Sequence, residues 1–205
     1  MKCLNEYEKA WWNGGKEVIV GIDEAGRGPI CGPCVVCAVA FPKDYEHPEI
    51  YDSKKLSEKK RKELFHVILK DALEYHIEIV SPKRIDEENI YRATQLANYR
   101  LVDKFKHVDG VLTDAMPLPD CPYDVIPLVK GDQKSVSIAA ASILAKVIRD
   151  HIMAGYDVLY PQYLLTKHKG YPTAQHLALI EQYGVQDFYR FSYGPVKKQA
   201  QLKLF

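Results

Sequence analysis

The 205 residues carry 28 lysines and arginines against 27 acids, and 47% of them are hydrophobic, which excludes a disordered, collagen-like or uniformly basic chain. No apolar run approaches the roughly 20 residues of a bilayer span, and the N-terminal stretch MKCLNEYEKAWWNGG lacks an apolar core ahead of a small-residue cleavage site, so a soluble cytoplasmic protein is expected. The five cysteines have no dense secreted-scaffold pattern and are expected to be reduced thiols.

In chain order, Lys16 to Asp23 reads as a buried strand, because Val18, Ile19, Val20, Gly21 and Ile22 are apolar and largely β-branched and the glycine-rich turn Ala25 to Pro29 follows. Cys34 to Phe41 reads as its hairpin partner. Lys54, Lys55, Lys59, Lys60, Arg61 and Lys62 form a basic block relieved only by Glu58, which by itself describes a solvated helix face. From Ser57, a plausible N-cap, the period becomes helical through Leu64, Phe65, Ile68, Leu69 and Ala72. His76 to Val80 alternates as a strand, Asn89 to Phe105 is helical, Gly110 to Thr113 is a short strand, and Val125 to Val129 is an edge strand because Pro127 interrupts it. Ser135 to Met153 is a helix whose stripe of Ala139, Ala140, Ala141, Ser142 and Ala145 lets its backbone lie close to a sheet. After Gly155 the composition shifts to Tyr, Pro, His and Lys, with a helix over Thr173 to Tyr183 and then a polar tail. These elements predict an α/β fold in one structural domain, a mixed sheet with flanking helices over residues 1–155 and a helical extension over 156–205, and a monomer is expected.

The chemistry concentrates in acids at strand ends. Asp23 and Glu24 end the first strand, Asp114 ends Val111-Leu112-Thr113, and Asp132 follows Pro127-Leu128-Val129 just ahead of a helix. Adjacent strand residues face opposite ways, so Asp23 and Glu24 serve one pocket only if Glu24 already belongs to the turn. If those ends meet, four carboxylates share a pocket that divalent cations must neutralise, and hard oxygen ligands select Mg²⁺ or Mn²⁺. Two such ions about 3.5 to 4 Å apart suit in-line phosphoryl displacement.

Four segments in order, Gly21-Ile22-Asp23-Glu24-Ala25-Gly26-Arg27-Gly28-Pro29, Asp52-Ser53-Lys54-Lys55-Leu56-Ser57, Lys130-Gly131-Asp132 running into Ile138 to Val147, and Lys169-Gly170-Tyr171-Pro172-Thr173 with His176, make residues 17–196 closely resemble ribonuclease HII. The resemblance implies an RNase H-like fold and a metal-dependent endonuclease that cuts the RNA strand of RNA·DNA hybrids, and cuts 5′ to ribonucleotides embedded in duplex DNA, leaving 5′-phosphate and 3′-hydroxyl ends. It implies that Asp23, Glu24, Asp114 and Asp132 are the catalytic, metal-holding acids, with two ions during turnover. The family usually carries Asp-Gly at the third acid, whereas this chain reads Thr113-Asp114-Ala115 with Asp109-Gly110 just upstream; Asp114 is preferred because it follows the apolar strand. Gly26, Arg27 and Gly28 then look like the loop that senses the ribonucleotide, since glycine permits close main-chain approach to the shallow minor groove. Tyr171 is similar to the family tyrosine that stacks on the sugar at the RNA-to-DNA junction, and Lys54 and Lys55 become phosphate contacts. Gln201, Leu202, Leu204 and Phe205 resemble the short peptide by which bacterial replication enzymes dock on the sliding clamp.

Two rival classes stand beside this reading. Cys31-Gly32-Pro33-Cys34 matches a thioredoxin-like C-x-x-C, but it leads into a β-like run rather than a helix, and a zinc site on Cys31, Cys34 and Cys37 has no fourth ligand nearby. A non-catalytic hybrid-binding module gives no reason to gather acids beside a polyanion. His107, His151, His168 and His176 are expected to be structural or surface residues, His176 lying near Tyr171.

Overall fold

The β-branched run forms strand β1, Ile19–Ala25, and Cys34–Ala40 returns beside it as β2. The computed structural model describes residues 4–202. Strands β3 (Glu74–Val80), β4 (Gly110–Asp114) and β5 (Asp124–Leu128) complete a sheet in the order β3-β2-β1-β4-β5. The β1–β2 and β2–β3 pairs are antiparallel, and β1–β4 and β4–β5 are parallel, so the sheet is mixed as expected and Pro127 lies in an edge strand.

Both faces of the central strands are covered, which is why β2 is apolar throughout instead of alternating. Val20, Ile22, Val36 and Ala38 pack toward helix α4 (Ile90–Val102), and Val35, Cys37 and Val39 pack toward helices α2 (Glu58–Asp71) and α5 (Val136–Leu159). Ala139, Ala140, Ala141 and Ala145 of α5 are fully buried, and the helix approaches β1 so closely that a Cβ on Gly21 would overlap the Ser137 main chain. Ser57 caps α2 by accepting from the Lys60 amide at 3.2 Å.

Several boundaries differ from expectation, each for a tertiary reason. β1 starts at Ile19 because the Glu17 and Val18 amides are taken by the Asp109 carboxylate at 2.9 and 2.8 Å. α5 runs through Gly155 to Leu159, so the change of composition falls inside the helix. Helix α1 (Glu6–Asn13) was not legible, and it is held by buried Glu8, which accepts from Ser135 Oγ at 2.6 Å and the Ser137 amide at 3.1 Å. Helix α3 (Pro82–Glu88) begins with Ser81 as N-cap and Pro82 in its first turn, a start signal present in the sequence.

Past α5 the chain forms helices α6 (Leu165–His168), α7 (Ala174–Tyr183) and α8 (Gly194–Leu202), the last where a polar tail was expected. Ile30, Cys31, Met153, Tyr163, Ile180 and Tyr189 share one apolar cluster, which fastens this segment to the loop between β1 and β2. Among the described residues no helix is long and apolar enough to cross a membrane.

Candidate active site

Because β1 and β4 run parallel, their C-terminal ends open on the same edge of the sheet, the usual location of a ligand crevice in open α/β sheets. Pairing between them stops at Ile22 and Thr113, whereas β1 continues against β2 as far as Ala25. Glu24 is therefore still a strand residue, so the condition that it already belong to the turn is not met. It reaches the same cleft as Asp23 because the β4 side of β1 is open there. The cleft has a volume of about 350 Å³, and Asp23, Glu24, Asp114, Lys54, Arg27 and Tyr171 are among its walls.

The acids perturb one another. Burial, followed by the charges of Glu24 and Asp114, drives the Asp23 carboxyl well above the ordinary carboxylate range. Burial also raises Glu24, although the guanidinium of Arg27, 3.4 Å from Glu24 Oε1, opposes it. Asp132 sits outside the cleft lining, buried in the 3₁₀ turn Gly131–Gln133 that leads into α5; burial and the charges of Asp52 and Asp114 raise it. Asp114 Oδ1 accepts from the Gly131 amide at 2.8 Å, which ties the end of β4 to that turn. Asp109, the rival for the third acid, lies at the start of β4, at the opposite end of the strand from Asp114.

Lys54 stands among these acids. Burial pulls its ammonium down, but Asp132, Asp23, Asp52 and Asp114 together outweigh that cost and leave its pKa raised. In this arrangement it is a counter-charge to the carboxylates as well as a cation facing the cleft. Lys55 does not line the cleft; it is exposed, 3.9 Å from Asp52 on the far side of that residue.

The donor set fits a hard divalent cation, since it consists of carboxylate oxygens whose mutual repulsion a cation relieves. Among the described residues no three acids already converge as a coordination group. Asp23 Oδ1 accepts from the Glu24 amide at 2.7 Å, Glu24 Oε1 from Arg27 at 3.4 Å and Asp114 Oδ1 from the Gly131 amide at 2.8 Å, which orients each carboxylate and leaves its second oxygen as a donor for a cation.

The glycine loop enters from the side. Gly26 has φ +105°, and a Cβ there would overlap the Arg149 side chain. A Cβ on Gly28 would stand 3.3 Å from the ring of Tyr171, so loop and tyrosine form one wall. The main chain of Tyr171 is fixed from behind by His176, whose Nδ1 donates to the Tyr171 carbonyl at 2.9 Å while its Nε2 accepts from Tyr189 Oη at 2.9 Å.

Sequence reasoning missed Ser142, Lys146 and Arg149, which reach the cleft from α5. Their spacing at i, i+4 and i+7, a polar stripe on an otherwise small and apolar helix, was the available signal. It also gave no role to Asp52, whose buried carboxylate accepts from the Lys54 amide at 3.0 Å and Gln133 Nε2 at 3.1 Å and whose charge helps to raise Asp132. The thiol-redox reading fails on physical grounds. Cys31 and Cys34 are buried, burial pushes each thiol up to about 12, and Cys34 opens a strand, so no thiolate is available.

A family model described as Ribonuclease HII matches residues 20–196. The ribonuclease HII of Caldanaerobacter subterraneus subsp. tengcongensis is 49% identical over 188 residues, covering 91% of this chain and 78% of the relative. That of Clostridioides difficile is 48% identical over 194 residues, covering 94% and 76%. The ribonuclease H2 of Pyrococcus horikoshii OT3 shares the fold with a TM-score of 0.77 at 23% identity, covering 90% of this chain and 98% of that one. A complex of PCNA with RNase HII from Archaeoglobus fulgidus gives a TM-score of 0.72 at 25% identity, covering 86% and 95%. With strand ends delivering acids to one cleft and half-identity relatives along nearly the whole chain, the chain belongs to the ribonuclease HII family and is a ribonuclease H, an endoribonuclease acting on RNA·DNA hybrids.

Proposed function

We propose that this enzyme also nicks duplex DNA 5′ to a single embedded ribonucleotide, with Asp23, Glu24, Asp114 and Asp132 holding Mg²⁺ or Mn²⁺, two ions during turnover. The observation that carries the reading is the arrival of Asp23, Glu24 and Asp114 in one cleft beside Lys54, with Asp132 in the adjoining turn: burial raises Asp23, Glu24 and Asp132, the charge of Asp114 adds to each, and bound cations relieve that crowding. Such ions supply the Lewis acidity for phosphodiester hydrolysis, leaving 5′-phosphate and 3′-hydroxyl ends. Lys54 and Lys146 face the backbone phosphates, and Lys55 contributes only from the periphery. Gly26, Arg27 and Gly28 bring main-chain groups to the minor groove, where the 2′-hydroxyl distinguishes the sugar, and the half-exposed ring of Tyr171 is free to stack on it. A DNA duplex carrying one ribonucleotide is expected to be nicked at one bond in Mg²⁺ and left intact in EDTA, with the all-DNA duplex uncut in both. Cutting of the all-DNA duplex, or cutting in EDTA, would overturn the proposal.

A second reading concerns a partner. The similarity to an RNase HII seen in complex with PCNA favours docking on a sliding clamp through Gln201, Leu202, Leu204 and Phe205, of which Leu204 and Phe205 lie outside the described residues. Deleting residues 201–205 is expected to weaken binding to the cognate clamp at least about tenfold in surface-plasmon measurements, roughly 1.4 kcal/mol or more, and to leave nicking rates unchanged. Equal clamp affinity with and without the tail would exclude this docking mode.

A further inference from the structure

On the reading of the cleft just given, we infer that Arg190, supplied by the segment after α7, is a positioning residue for recognition of the ribonucleotide: its buried guanidinium sets the orientation of the Gly26-Arg27-Gly28 main chain. Arg190 is fully buried. Its Nη2 donates to the Gly26 carbonyl at 2.7 Å and its Nη1 to the Arg27 carbonyl at 3.1 Å, while Nε and Nη2 donate to the Gly32 carbonyl at 3.0 and 2.9 Å. Tyr193 extends the brace: its hydroxyl accepts from Arg190 Nη1 at 3.1 Å and donates to the Arg27 carbonyl at 2.8 Å.

Peptide planarity turns these contacts into a directional effect. In a trans peptide the N–H points opposite to the preceding carbonyl, so drawing the Gly26 and Arg27 carbonyls toward Arg190 directs the Arg27 and Gly28 amides the other way. Those two residues line the cleft, and among the described residues neither amide has a main-chain partner. They are thus donors held ready for an oxygen in the cleft, the role a 2′-hydroxyl or its adjacent phosphate would fill.

A second buried guanidinium completes the frame. Arg149 of α5 donates to the carbonyls of Pro33, Cys31 and Lys169 at 3.0, 3.2 and 2.9 Å, and its side chain fills the space a Cβ on Gly26 would need. Burying two cations this near each other is costly: burial and the Arg190 charge both lower the Arg149 pKa. Their hydrogen bonds go to main-chain carbonyls and the Tyr193 hydroxyl, so what they provide is geometry. Only a guanidinium offers several fixed donors in one plane, which lysine cannot reproduce.

The test compares wild type, Arg190→Lys and Tyr193→Phe on the duplex with one ribonucleotide and on its all-DNA counterpart. Arg190→Lys is expected to lower kcat for nicking about tenfold, as expected for lost transition-state alignment. KM and the affinity for the all-DNA duplex should stay within twofold, and cuts should spread to neighbouring bonds. Tyr193→Phe, which removes one hydroxyl and keeps the buried cation, should reduce kcat severalfold with the same split, and it decides the matter should Arg190→Lys fail to fold by circular dichroism. Unchanged kcat and cut position in folded variants would overturn the inference, as would an equal loss of affinity for both duplexes, the mark of a general structural role. Failure of the wild type to nick the ribonucleotide duplex would instead bring down the underlying reading, and the positioning role with it.

Discussion

Asp23→Asn is expected to abolish nicking of a ribonucleotide-containing duplex while making the metal-free protein more stable at pH 7. In the wild type, burial and the neighbouring charges of Glu24 and Asp114 push Asp23 upward, so its ionised form costs stability in the absence of a cation. The sign follows from linkage: a carboxyl whose folded pKa exceeds its unfolded value stabilises the fold only when protonated, and that contribution is lost as pH rises through the folded pKa. Asparagine keeps the volume and removes the repulsion. Relief of even about 1 kcal/mol raises the melting temperature of a chain this long by roughly 2–4 °C. The same change deletes a hard oxygen anion from the donor set, and loss of several kcal/mol of cation-dependent stabilisation lowers the rate by roughly 10³-fold. The two readouts are differential scanning calorimetry in EDTA and nicking in Mg²⁺. Addition of Mg²⁺ should raise the wild-type melting temperature and shift the variant far less. A variant that nicks at the wild-type rate, or one less stable than wild type in EDTA, would remove Asp23 from the role proposed for it.

The residues that could be picked out in the sequence are those whose local context already states their position. Asp23 and Glu24 end a β-branched run, and Asp114 ends another, so their arrival at a sheet edge follows from strand geometry. What the chain order does not convey is which ends coincide. Asp109 and Asp114 are the same residue type five positions apart, yet one secures the entry of β1 and the other faces the cleft, a difference set by the parallel pairing of β1 and β4. The route by which Glu24 reaches the cleft is hidden for a related reason: its access comes from β4 ending early, and no property of residue 24 itself records that. Charges that work in the interior were the least legible. Arg149, Arg190 and Glu8 look like ordinary surface residues in the sequence, and only contacts across more than a hundred positions, such as Arg190 to Gly26, reveal them as buried hydrogen-bonding centres. Helix α8 and the extension of α5 past Gly155 likewise depend on partners far along the chain.

The wall that carries Tyr171 makes the protein sensitive to acid. His168 and His176 stack with ring centroids 3.9 Å apart, and both are buried. Each is matched to the neutral ring: His168 Nε2 donates to the Tyr163 carbonyl at 2.8 Å while its Nδ1 accepts from the Gly170 amide at 3.2 Å, and His176 donates to Tyr171 and accepts from Tyr189. A proton added to either ring meets a donor, a neighbouring imidazole and an apolar surround. Burial therefore lowers both, and His176 falls to about 4 from its ordinary 6.5. Because the unfolded chain takes up this proton first, the stability owed to neutral His176 is complete above pH 6.5. It declines as pH falls toward 4, and below that both states carry the proton and the loss ends. A shift of this size is worth about 3 kcal/mol, or roughly 6–12 °C in melting temperature for a chain of this length. Asp23 and Glu24 in the cleft and Asp132 beside it act with the opposite sign, because their raised values favour the fold as they protonate, so the histidine is isolated by difference. His176→Gln cannot titrate, and although it lowers stability at pH 7, the gap to wild type in urea unfolding should narrow by about 3 kcal/mol between pH 7 and pH 4. A gap that stays constant over that interval would mean that the buried imidazole is not what ties the Tyr171 wall to pH.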